Sequence, residues 1–445
     1  MSRKNTKKIQ DFNFFYWFLR YYVDFSLKLS YRKIIYVGKE NIPQDGAIIY
    51  APNHTNALMD ALIVLALDRK PKVFVARADI FKNPTIAKIF TFLKIMPIMR
   101  QRDGLKEVKK NQEIINKSVD VLRDRIPFCI FPEGTHNTKH SLLPLSKGIF
   151  KIAFQAHEIM PDMPLYIVPT GLTYGDFFRF RSTVRVEIGK PIKVNDFIKE
   201  HSECSGQEQI NLMKDLLSKR IRSSILYIPE NEEYEATYEI CKITQAFEET
   251  QLLKTKTIKR RQTLDLQLVA NNNTIKKLSD LKTIALKKKK KLLSLGEQAK
   301  TLRREKNISI ESITNRHSVS ARIINTLIFL LTLPYTVSVS ILSLPMVLIC
   351  KFIFTLLKDP AFKNSIRFLI YLLLWPILMI VYSIIICTQL PCLLSLITIL
   401  LLLPAPIIAH TISRVARIII SDIKLLRAKR LRELHKKIRE IVKTS

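Results

Sequence analysis

The sequence predicts an α/β domain, a mixed sheet flanked by helices, followed by a C-terminal α-helical membrane domain. The first part is predicted because short apolar runs alternate with stretches of helical periodicity between Lys33 and Tyr227. The second part is predicted by long uncharged stretches near the C-terminus with lysine-rich sequence beside them. At 445 residues, the chain is long enough for more than one structural unit.

The composition narrows the classes of partner. A formal net charge of +34 suits nucleic acid, an anionic membrane surface or phosphorylated substrates. Because the charge is segregated from a hydrophobic content of 47%, it indicates a membrane protein with membrane lipids as partners. Nucleic acid is supported by charge alone, and we expect none. The six cysteines form no C-x-x-C pair and are expected to be free thiols, which argues against a metal or disulfide framework.

Residues 1–31 are predicted to form an interfacial helix. The segment Asp11–Tyr31 is rich in aromatic side chains that favour the level of lipid headgroups. The alternative is a core helix of a soluble domain. Arg20 and Asp24 interrupt the apolar run and no small-residue cleavage site follows, so it is not expected to be a signal peptide.

Residues 32–229 are predicted to form the α/β domain. The strands are expected at Ile34–Val37, Ala47–Ala51, Val73–Ala76, Ile126–Phe131 and Leu165–Pro169. The helices are expected at Ala57–Leu67, Ile80–Phe92, Lys106–Arg123 and Gly148–His157. Residues 230–322 lack strand signals and are predicted to be a basic helical region, whose run Lys287–Lys291 is typical of a solvated face or a lipid-headgroup contact.

Residues 323–413 are predicted to be membrane-embedded helices. The block Phe368–Ser413 is long enough for two spans of about 20 residues each, with Gln389–Pro391 as the turn between them. The block Ile323–Leu357 contains Pro334 and Pro345, which we expect to break it into a re-entrant hairpin or two short helices. Residues 414–445 are basic and are predicted to be a cytoplasmic tail, so an integral membrane protein with its α/β domain on the cytoplasmic side and an even number of crossings is expected.

A histidine and an aspartate follow the second predicted strand. His54 comes just after Ala47–Ala51 and just before a helix that Thr55 or Asn56 can cap. With an ordinary pKa of about 6.5, an imidazole can accept a hydroxyl proton near neutral pH, and Asp60 is the nearest carboxylate that can hold its second nitrogen. The alternative is that His54 only caps the helix and Asp60 is a surface acid.

The other candidate residues bind oxygen-rich ligands. The turn Glu133-Gly134-Thr135 follows a predicted strand, and its amides can face a ligand oxygen, while Glu133 can bind a substrate hydroxyl or lie in a solvated turn. Arg100 and Arg102 end a short apolar strand and match phosphate oxygens, with a solvated basic loop as the alternative. Lys147, at the entry to a helix, is a weaker candidate of the same kind.

These motifs together resemble a known family. Asn53-His54 followed by Asp60, then Phe131–Thr135 about eighty residues later, then Val168-Pro169, are similar to the glycerolipid acyltransferases, which include the lysophosphatidate and glycerol-3-phosphate acyltransferases. The resemblance covers Lys33–Phe197, under half of the chain.

The resemblance implies roles for the candidate residues. His54 is implied as the base with Asp60 as its partner. Arg100 and the Glu133–Thr135 turn are implied to bind the glycerol phosphate, and Val168-Pro169 to shape the acyl site. The implied reaction, in phospholipid synthesis, moves a fatty acyl group from acyl-CoA or acyl carrier protein to glycerol 3-phosphate or a lysophospholipid. These thioesters are co-substrates, so no cofactor and no metal is expected, and a homodimer is left open.

Two positions depart from the family pattern. Five residues lie between His54 and Asp60, whereas the family usually has four, and some glycerol-3-phosphate acyltransferases look similar in having the longer spacing. The usual arginine after Glu-Gly-Thr is here His136, for which Lys139 or Lys147 could compensate. Both departures favour the competing hypothesis, a catalytically inactive, membrane-anchored lipid-binding or scaffold protein of the same fold.

Overall fold

The computed structural model describes residues 8–98, 108–256, 258, 262–314, 319–357 and 359–443. The chain divides into two compact units, residues 1–225 with 358–368 and residues 226–357 with 369–445. We call the first the α/β unit and the second the helical unit. The predicted boundary near residue 229 lies close to the observed one, whereas the assignment of residues 358–368 to the α/β unit was not predicted.

The α/β unit contains the predicted mixed sheet. Its described residues form strands β1 Tyr31–Val37, β2 Ala47–Pro52, β3 Val73–Arg77, β4 Ile95–Ile98, β5 Phe128–Cys129, β6 Leu165–Tyr174, β7 Ser182–Ile188 and β8 Ile192–Lys193. The order is β1-β7-β6-β2-β5-β3-β4, with β8 paired to β6. β2 is parallel to both β5 and β6, and β6 is antiparallel to β7. Every residue of β2 is buried, as expected of a central strand covered on both faces.

Strand β7 was not predicted from the sequence. The signal was present, because Val184, Val186 and Ile188 alternate with polar residues at the period of a strand. β7 runs antiparallel to β6 and parallel to β1, so this strand and β8, which is also antiparallel to β6, make the sheet mixed.

Seven α-helices accompany the sheet within the described part of the α/β unit. They are α1 Phe14–Ser30, α2 Leu58–Leu65, α3 Pro84–Phe92, α4 Val108–Arg123, α5 Gly148–Ile159, α6 Val194–Glu200 and α7 Gly206–Ser224. Local sequence explains several ends: Asn83 accepts hydrogen bonds from the first amides of α3, and Ser205 with Glu208 forms a capping box on α7.

Helix α1 has two different faces. Tyr16, Arg20 and Leu27 are buried, and the Arg20 guanidinium donates to the carbonyls of Leu65 and Asp68. The opposite face exposes the large side chains Phe14, Phe15, Phe18, Tyr21 and Phe25, and Phe12, which precedes the helix, is exposed as well. An exposed aromatic face on a helix that is otherwise anchored to the domain supports the interfacial prediction over a wholly buried core helix.

The helical unit contains ten α-helices in its described residues, the first turns of one belonging to the α/β unit. They are α8 Tyr234–Lys254, α9 Thr263–Ile284, α10 Leu286–Glu305, α11 Ile310–Thr314, α12 Val319–Leu331, α13 Leu333–Leu356, α14 Phe362–Gln389, α15 Cys392–Leu402, α16 Ala405–Arg427 and α17 Lys429–Lys443. The residues predicted to be a basic tail form the end of α16 and all of α17. Leu431 and Ile438 of α17 are buried in one cluster with Ile240 and Leu292, so this segment is an integral part of the unit.

Two helices of the described chain, α13 and α14, are long and apolar enough to cross a membrane, and the pair α15–α16, bent by 48°, makes a third candidate if it is one span. The predicted break near Pro334 is confirmed, since α12 ends at Leu331 and α13 begins at Leu333. The predicted break at Pro345 is wrong, because this proline lies inside α13. A proline removes one helical hydrogen bond, whereas ending the helix in apolar surroundings leaves several groups unpaired. The number of crossings stays a prediction.

Candidate active site

His54 lies where the carboxyl end of strand β2 meets that of its parallel neighbour β5. Asn53, the residue before it, is almost fully buried, and its side chain accepts a hydrogen bond from the Leu172 amide at 2.6 Å and donates to the Leu172 carbonyl at 3.1 Å. This pair of bonds ties the end of β2 to β6. The chain therefore leaves the sheet at a fixed point, with the His54 side chain at the edge where loops converge.

Asp60 is fully buried and accepts a hydrogen bond at 2.8 Å from Nδ1 of His54. The same carboxylate oxygen, Oδ2, accepts the backbone amides of Thr55 and Asn56 at 2.7 Å each. Its other oxygen accepts the Tyr174 hydroxyl at 2.6 Å. A carboxylate held by four donors keeps Nδ1 of His54 protonated and leaves Nε2 as the acceptor, which is the tautomer that a general base requires.

The longer spacing between His54 and Asp60 is accommodated at Ala57. This residue has φ 44° and ψ −124°, a conformation that residues with a side chain rarely adopt, and α2 begins directly after it. The turn places Asp60 in the first turn of α2, where its carboxylate reaches back to the amides of Thr55 and Asn56. The pair is therefore formed in spite of the additional residue.

Two aromatic rings surround the His54 imidazole. Phe131 stacks on it with 4.1 Å between ring centroids, and His136 approaches edge-on at 5.6 Å. The His54 side chain is 18% exposed. One part of the ring is thus packed and oriented while another part remains accessible to a substrate.

Glu133 connects the backbone of the two loops. Its carboxylate oxygens accept the His54 amide at 2.6 Å and the Leu143 amide at 2.7 Å. Burial raises the pKa of Glu133 to about 8, and the two amide hydrogen bonds oppose this rise. The structure therefore brings Glu133 to the site with both oxygens engaged by backbone groups, and the predicted contact with a substrate hydroxyl stays a prediction.

The turn after Glu133 is exposed beside His54 and His136. Gly134 has φ 64°, in the left-handed region that favours glycine, and both Gly134 and Thr135 are exposed. The Asn137 amide donates to the His54 carbonyl at 3.0 Å, so the turn is fastened directly to the histidine loop. This geometry leaves the turn accessible to a ligand next to His54.

Of the basic residues predicted to bind phosphate, only Lys147 lies among the described residues. Lys147 precedes α5, is exposed, and donates to the Gln207 side chain at 3.0 Å. Arg100 and Arg102 lie outside the described residues, so their phosphate role stays a prediction. His136 makes a contact that was not predicted, a 2.5 Å pair between its Nε2 and Oδ2 of Asp359.

Tyr174 was missed by sequence reasoning. It is fully buried at the end of β6, and burial together with the Asp60 carboxylate holds the pKa of Tyr174 well above its usual value, so its hydroxyl is a permanent donor to Asp60. No local motif marks this tyrosine, since its function follows from the pairing of β6 with β2. Val168 and Pro169, implied as part of the acyl site, are buried in the same strand.

Comparison with known proteins finds relatives that match the segment containing this site. Residues 33–173 match the family model described as Acyltransferase. Glycerol-3-phosphate O-acyltransferase 2 of Saccharomyces cerevisiae is 27% identical over 315 residues, covering 65% of this chain and 40% of that protein. A chloroplastic 1-acyl-sn-glycerol-3-phosphate acyltransferase of Brassica napus is 32% identical over 168 residues, covering 35% of this chain and 44% of that protein. The chain thus spans under half the length of these two relatives.

Two further proteins match in the same way. The 1-acyl-sn-glycerol-3-phosphate acyltransferase of Borreliella burgdorferi is 25% identical over 205 residues, covering 46% of this chain and 78% of that protein. Among solved structures, the 1-acyl-sn-glycerophosphate acyltransferase of Thermotoga maritima matches with a TM-score of 0.34 and 18% identity, covering 47% of this chain and 80% of that one. His54, Asp60 and Glu133 all lie inside the segment that matches the Acyltransferase model, so residues 33–173 form a domain similar to the glycerolipid acyltransferases.

Proposed function

We propose that this protein transfers a fatty acyl group from a thioester, acyl-CoA or acyl carrier protein, to a hydroxyl of glycerol 3-phosphate or lysophosphatidate. The observation that carries the proposal is the pair formed by His54 and Asp60. The imidazole is partly exposed, stacked on Phe131 and held through Nδ1 by a buried carboxylate. The names of the relatives given above state glycerol 3-phosphate or 1-acyl-sn-glycerol 3-phosphate as the acceptor, which supports the choice of acceptor class.

The proposed reaction is a direct transfer. Nε2 of His54 removes the proton from the acceptor hydroxyl while its oxygen attacks the thioester carbonyl. The carbon–sulfur bond breaks, the ester forms, and the leaving thiolate takes the proton from the imidazolium. Asp60 stabilises the imidazolium between the two proton transfers and keeps the ring in one tautomer. The substrate hydroxyl acts as the nucleophile, so no acyl-enzyme is required.

The neighbouring groups suit the charges of this reaction. The turn Gly134-Thr135 is exposed beside His54. Because the Gly134 amide donates to the Phe131 carbonyl at 3.1 Å, we assign the holding of an oxyanion or a phosphate to the Thr135 amide and not to both amides of the turn. Glu133 serves this arrangement by fastening the His54 backbone to Leu143. Arg100 and Arg102 complete the phosphate site in this proposal, because guanidinium groups pair with phosphate in two-point contacts.

Membrane attachment suits a lipid substrate. Helices α13 and α14 provide apolar segments of spanning length, and α1 exposes an aromatic face on the α/β unit. We propose that the α/β unit lies on the cytoplasmic side against the leaflet, where an acyl chain or lysolipid reaches His54 without crossing water. The positively charged chain favours that side.

The test is an acceptor panel with radiolabelled acyl donor, using purified full-length protein. Glycerol 3-phosphate, lysophosphatidate and other lysolipids are compared, each with acyl-CoA and with acyl carrier protein. The parent is expected to acylate one of the first two acceptors. His54→Ala is expected to lower the rate by about 10² to 10⁴, the usual effect of removing a general base.

The control is His201→Ala, which removes an imidazole elsewhere in the α/β unit, where it stacks on Phe197. It is expected to stay within a few-fold of the parent. A parent that binds lysolipid but transfers nothing would support the inactive lipid-binding protein instead. A His54→Ala variant within a few-fold of the parent would overturn the role of His54.

A further inference from the structure

Residues 359–368 belong to the α/β unit, although they follow the apolar helix α13 and include the start of α14, both of spanning length. Ala361 is fully buried and Phe368 nearly so, and the polar side chains of Asn364 and Ser365 are also buried. The Arg367 guanidinium donates to the Phe178 carbonyl at 2.8 Å. The first two turns of α14 are therefore packed as part of the α/β unit.

This segment contacts the second histidine of the site. Oδ2 of Asp359 lies 2.5 Å from Nε2 of His136, and the Phe362 ring meets the His136 ring edge-on with 5.0 Å between centroids. His136 in turn lies against His54. A carboxylate from 223 residues further along the chain thus holds the neighbour of the base.

The Asp359 carboxylate is suited to this contact. Burial alone raises the pKa of Asp359, but the Ala361 amide and His136 outweigh it, so the pKa is lowered from its usual value. Oδ1 accepts the Ala361 amide at 2.9 Å, which leaves Oδ2 for His136. The side chain is 45% exposed, so its position is determined by these two bonds and not by close packing.

The same segment reaches Asp60 by a second route. Nδ2 of Asn364 donates to the Tyr31 hydroxyl at 3.3 Å, and the Tyr31 and Tyr174 hydroxyls are hydrogen bonded. Because Tyr174 donates its proton to Asp60, the Tyr31 proton points to Tyr174 and Asn364 supplies a donor to Tyr31. In this order the Tyr31 and Tyr174 hydroxyls each accept one hydrogen bond and donate one.

We propose that residues 359–368 are a positioning element of the acyl-transfer site, and that Asp359 controls the affinity for the phosphorylated acceptor by holding His136. This inference rests on the proposed function. With Nε2 engaged by Asp359 and the ring packed against Phe362 and His54, His136 keeps one orientation beside the Gly134-Thr135 turn, and Nδ1 is its other polar atom. His136 then provides a polar contact to the acceptor phosphate at the position where the resemblance implies an arginine. Asp359 acts through His136 and does not itself touch the acceptor.

The test variant is Asp359→Asn in the full-length protein. Asparagine keeps an oxygen for the Ala361 amide but loses the charge that pairs with His136. The Michaelis constant for glycerol 3-phosphate, or for lysophosphatidate if that is the acceptor, is expected to rise about tenfold, as for the loss of a charged hydrogen bond. The Michaelis constant for the acyl donor and kcat are expected to change less than about twofold, since the substitution leaves the pair of His54 and Asp60 unchanged.

Three further variants separate positioning from general damage. Asp162→Asn removes the same charge from an exposed turn of the α/β unit and is expected to match the parent. Asp359→Glu is expected to recover part of the acceptor affinity. In a His136→Ala background, Asp359→Asn is expected to add no further effect, because its target is gone.

Several results would overturn the inference. These are equal changes for both substrates, a kcat loss that follows a lowered melting midpoint, and additive effects of Asp359→Asn and His136→Ala. If the parent transfers no acyl group to any acceptor, the proposed function is wrong. In that case the shift of the melting midpoint caused by added glycerol 3-phosphate is measured instead. Equal shifts in Asp359→Asn and Asp162→Asn would then contradict the positioning role.

Discussion

Nδ1 of His54 donates to Oδ2 of Asp60 at 2.8 Å, although five residues separate the two side chains in the sequence. The first turn of α2 brings the carboxylate back towards the strand end, and the amides of Thr55 and Asn56 share the same oxygen. The carboxylate is thus held in place even without His54. This makes the orientation of the imidazole a property of the folded loop.

Removing the charge of Asp60 is expected to abolish the proposed acyl transfer without unfolding the protein. In Asp60→Asn the Thr55 and Asn56 amides hold the amide oxygen towards His54, but the negative charge that stabilises the imidazolium is lost, so kcat is expected to fall about 10² to 10⁴. Tyr174→Phe leaves Asp60 with three donors, and we expect a loss of about tenfold or less. Steady-state kinetics with saturating donor measures both.

The matched control for the tyrosine is Tyr166→Phe. Its hydroxyl donates to Asp45 at 3.0 Å on the surface, so the same type of bond is lost far from the base. No change in kcat is expected. An equal loss in Tyr166→Phe and Tyr174→Phe would contradict a specific role of Tyr174 at Asp60.

The backbone of Ala57 is expected to store strain. Its φ of 44° with ψ of −124° is a conformation that glycine adopts readily, so Ala57→Gly is expected to raise stability by about 1 kcal/mol, the strain relieved exceeding the entropy gained by the unfolded chain. Ala61→Gly, inside helix α2, is expected to lower stability by about 1 kcal/mol. Thermal unfolding in detergent compares the two, and a loss of stability in both variants would contradict the strain.

The stability of the site is expected to depend on pH through Glu133. Burial raises its folded pKa to about 8, whereas the unfolded value is about 4.3. A raised pKa means that the folded state retains a proton that the unfolded state loses, so stability from this group is complete below the unfolded value. It is lost as pH rises from about 5 to about 8.

Melting midpoints of the parent and of Glu133→Gln, measured between pH 5 and 9, isolate this contribution. The variant cannot titrate at this position. The melting midpoint of the parent minus that of the variant is therefore expected to be larger at pH 5 than at pH 9. A constant difference over this range would show that Glu133 is ionised in the folded protein throughout.

The apolar helices are expected to make an even number of crossings. In the helical unit the Tyr382 hydroxyl donates to the Leu342 carbonyl, and Nε1 of Trp375 donates to the Leu403 carbonyl, so α14 has α13 on one side and the bent pair α15–α16 on another. We expect α14 and the bent pair α15–α16 to contribute two crossings, and α12 with α13 to contribute none or two, which returns the chain to its starting side.

Single cysteines introduced at Ser205, Leu390 and Lys443 in a cysteine-free background test this topology. In sealed vesicles of uniform orientation, an impermeant thiol reagent is expected to label either both Ser205→Cys and Lys443→Cys or neither of them. Leu390→Cys is expected to give the opposite result. Opposite labelling of the first two positions would show an odd number of crossings.

The sequence alone was sufficient for the features that depend on neighbouring residues. The alternation of apolar runs and helices predicted the α/β unit, and the uncharged stretches predicted the apolar helices, because both patterns reflect local burial. The pairing of His54 with Asp60 was also predicted, since strand end and helix start are close in the chain. Glu133 lies beside His54, but its bonds to two backbone amides were not foreseen, and its predicted contact with a substrate stays a prediction.

Only the tertiary structure decided which distant residues complete the site. Tyr174 reaches Asp60 because β6 pairs with β2, and Asp359 reaches His136 because the start of α14 packs on the α/β unit. Neither residue lies in a motif, and the sequence around Asp359 is that of a short polar break between apolar helices. Such contacts arise from the packing of segments more than 100 residues apart, and local patterns of charge and hydrophobicity do not specify that packing.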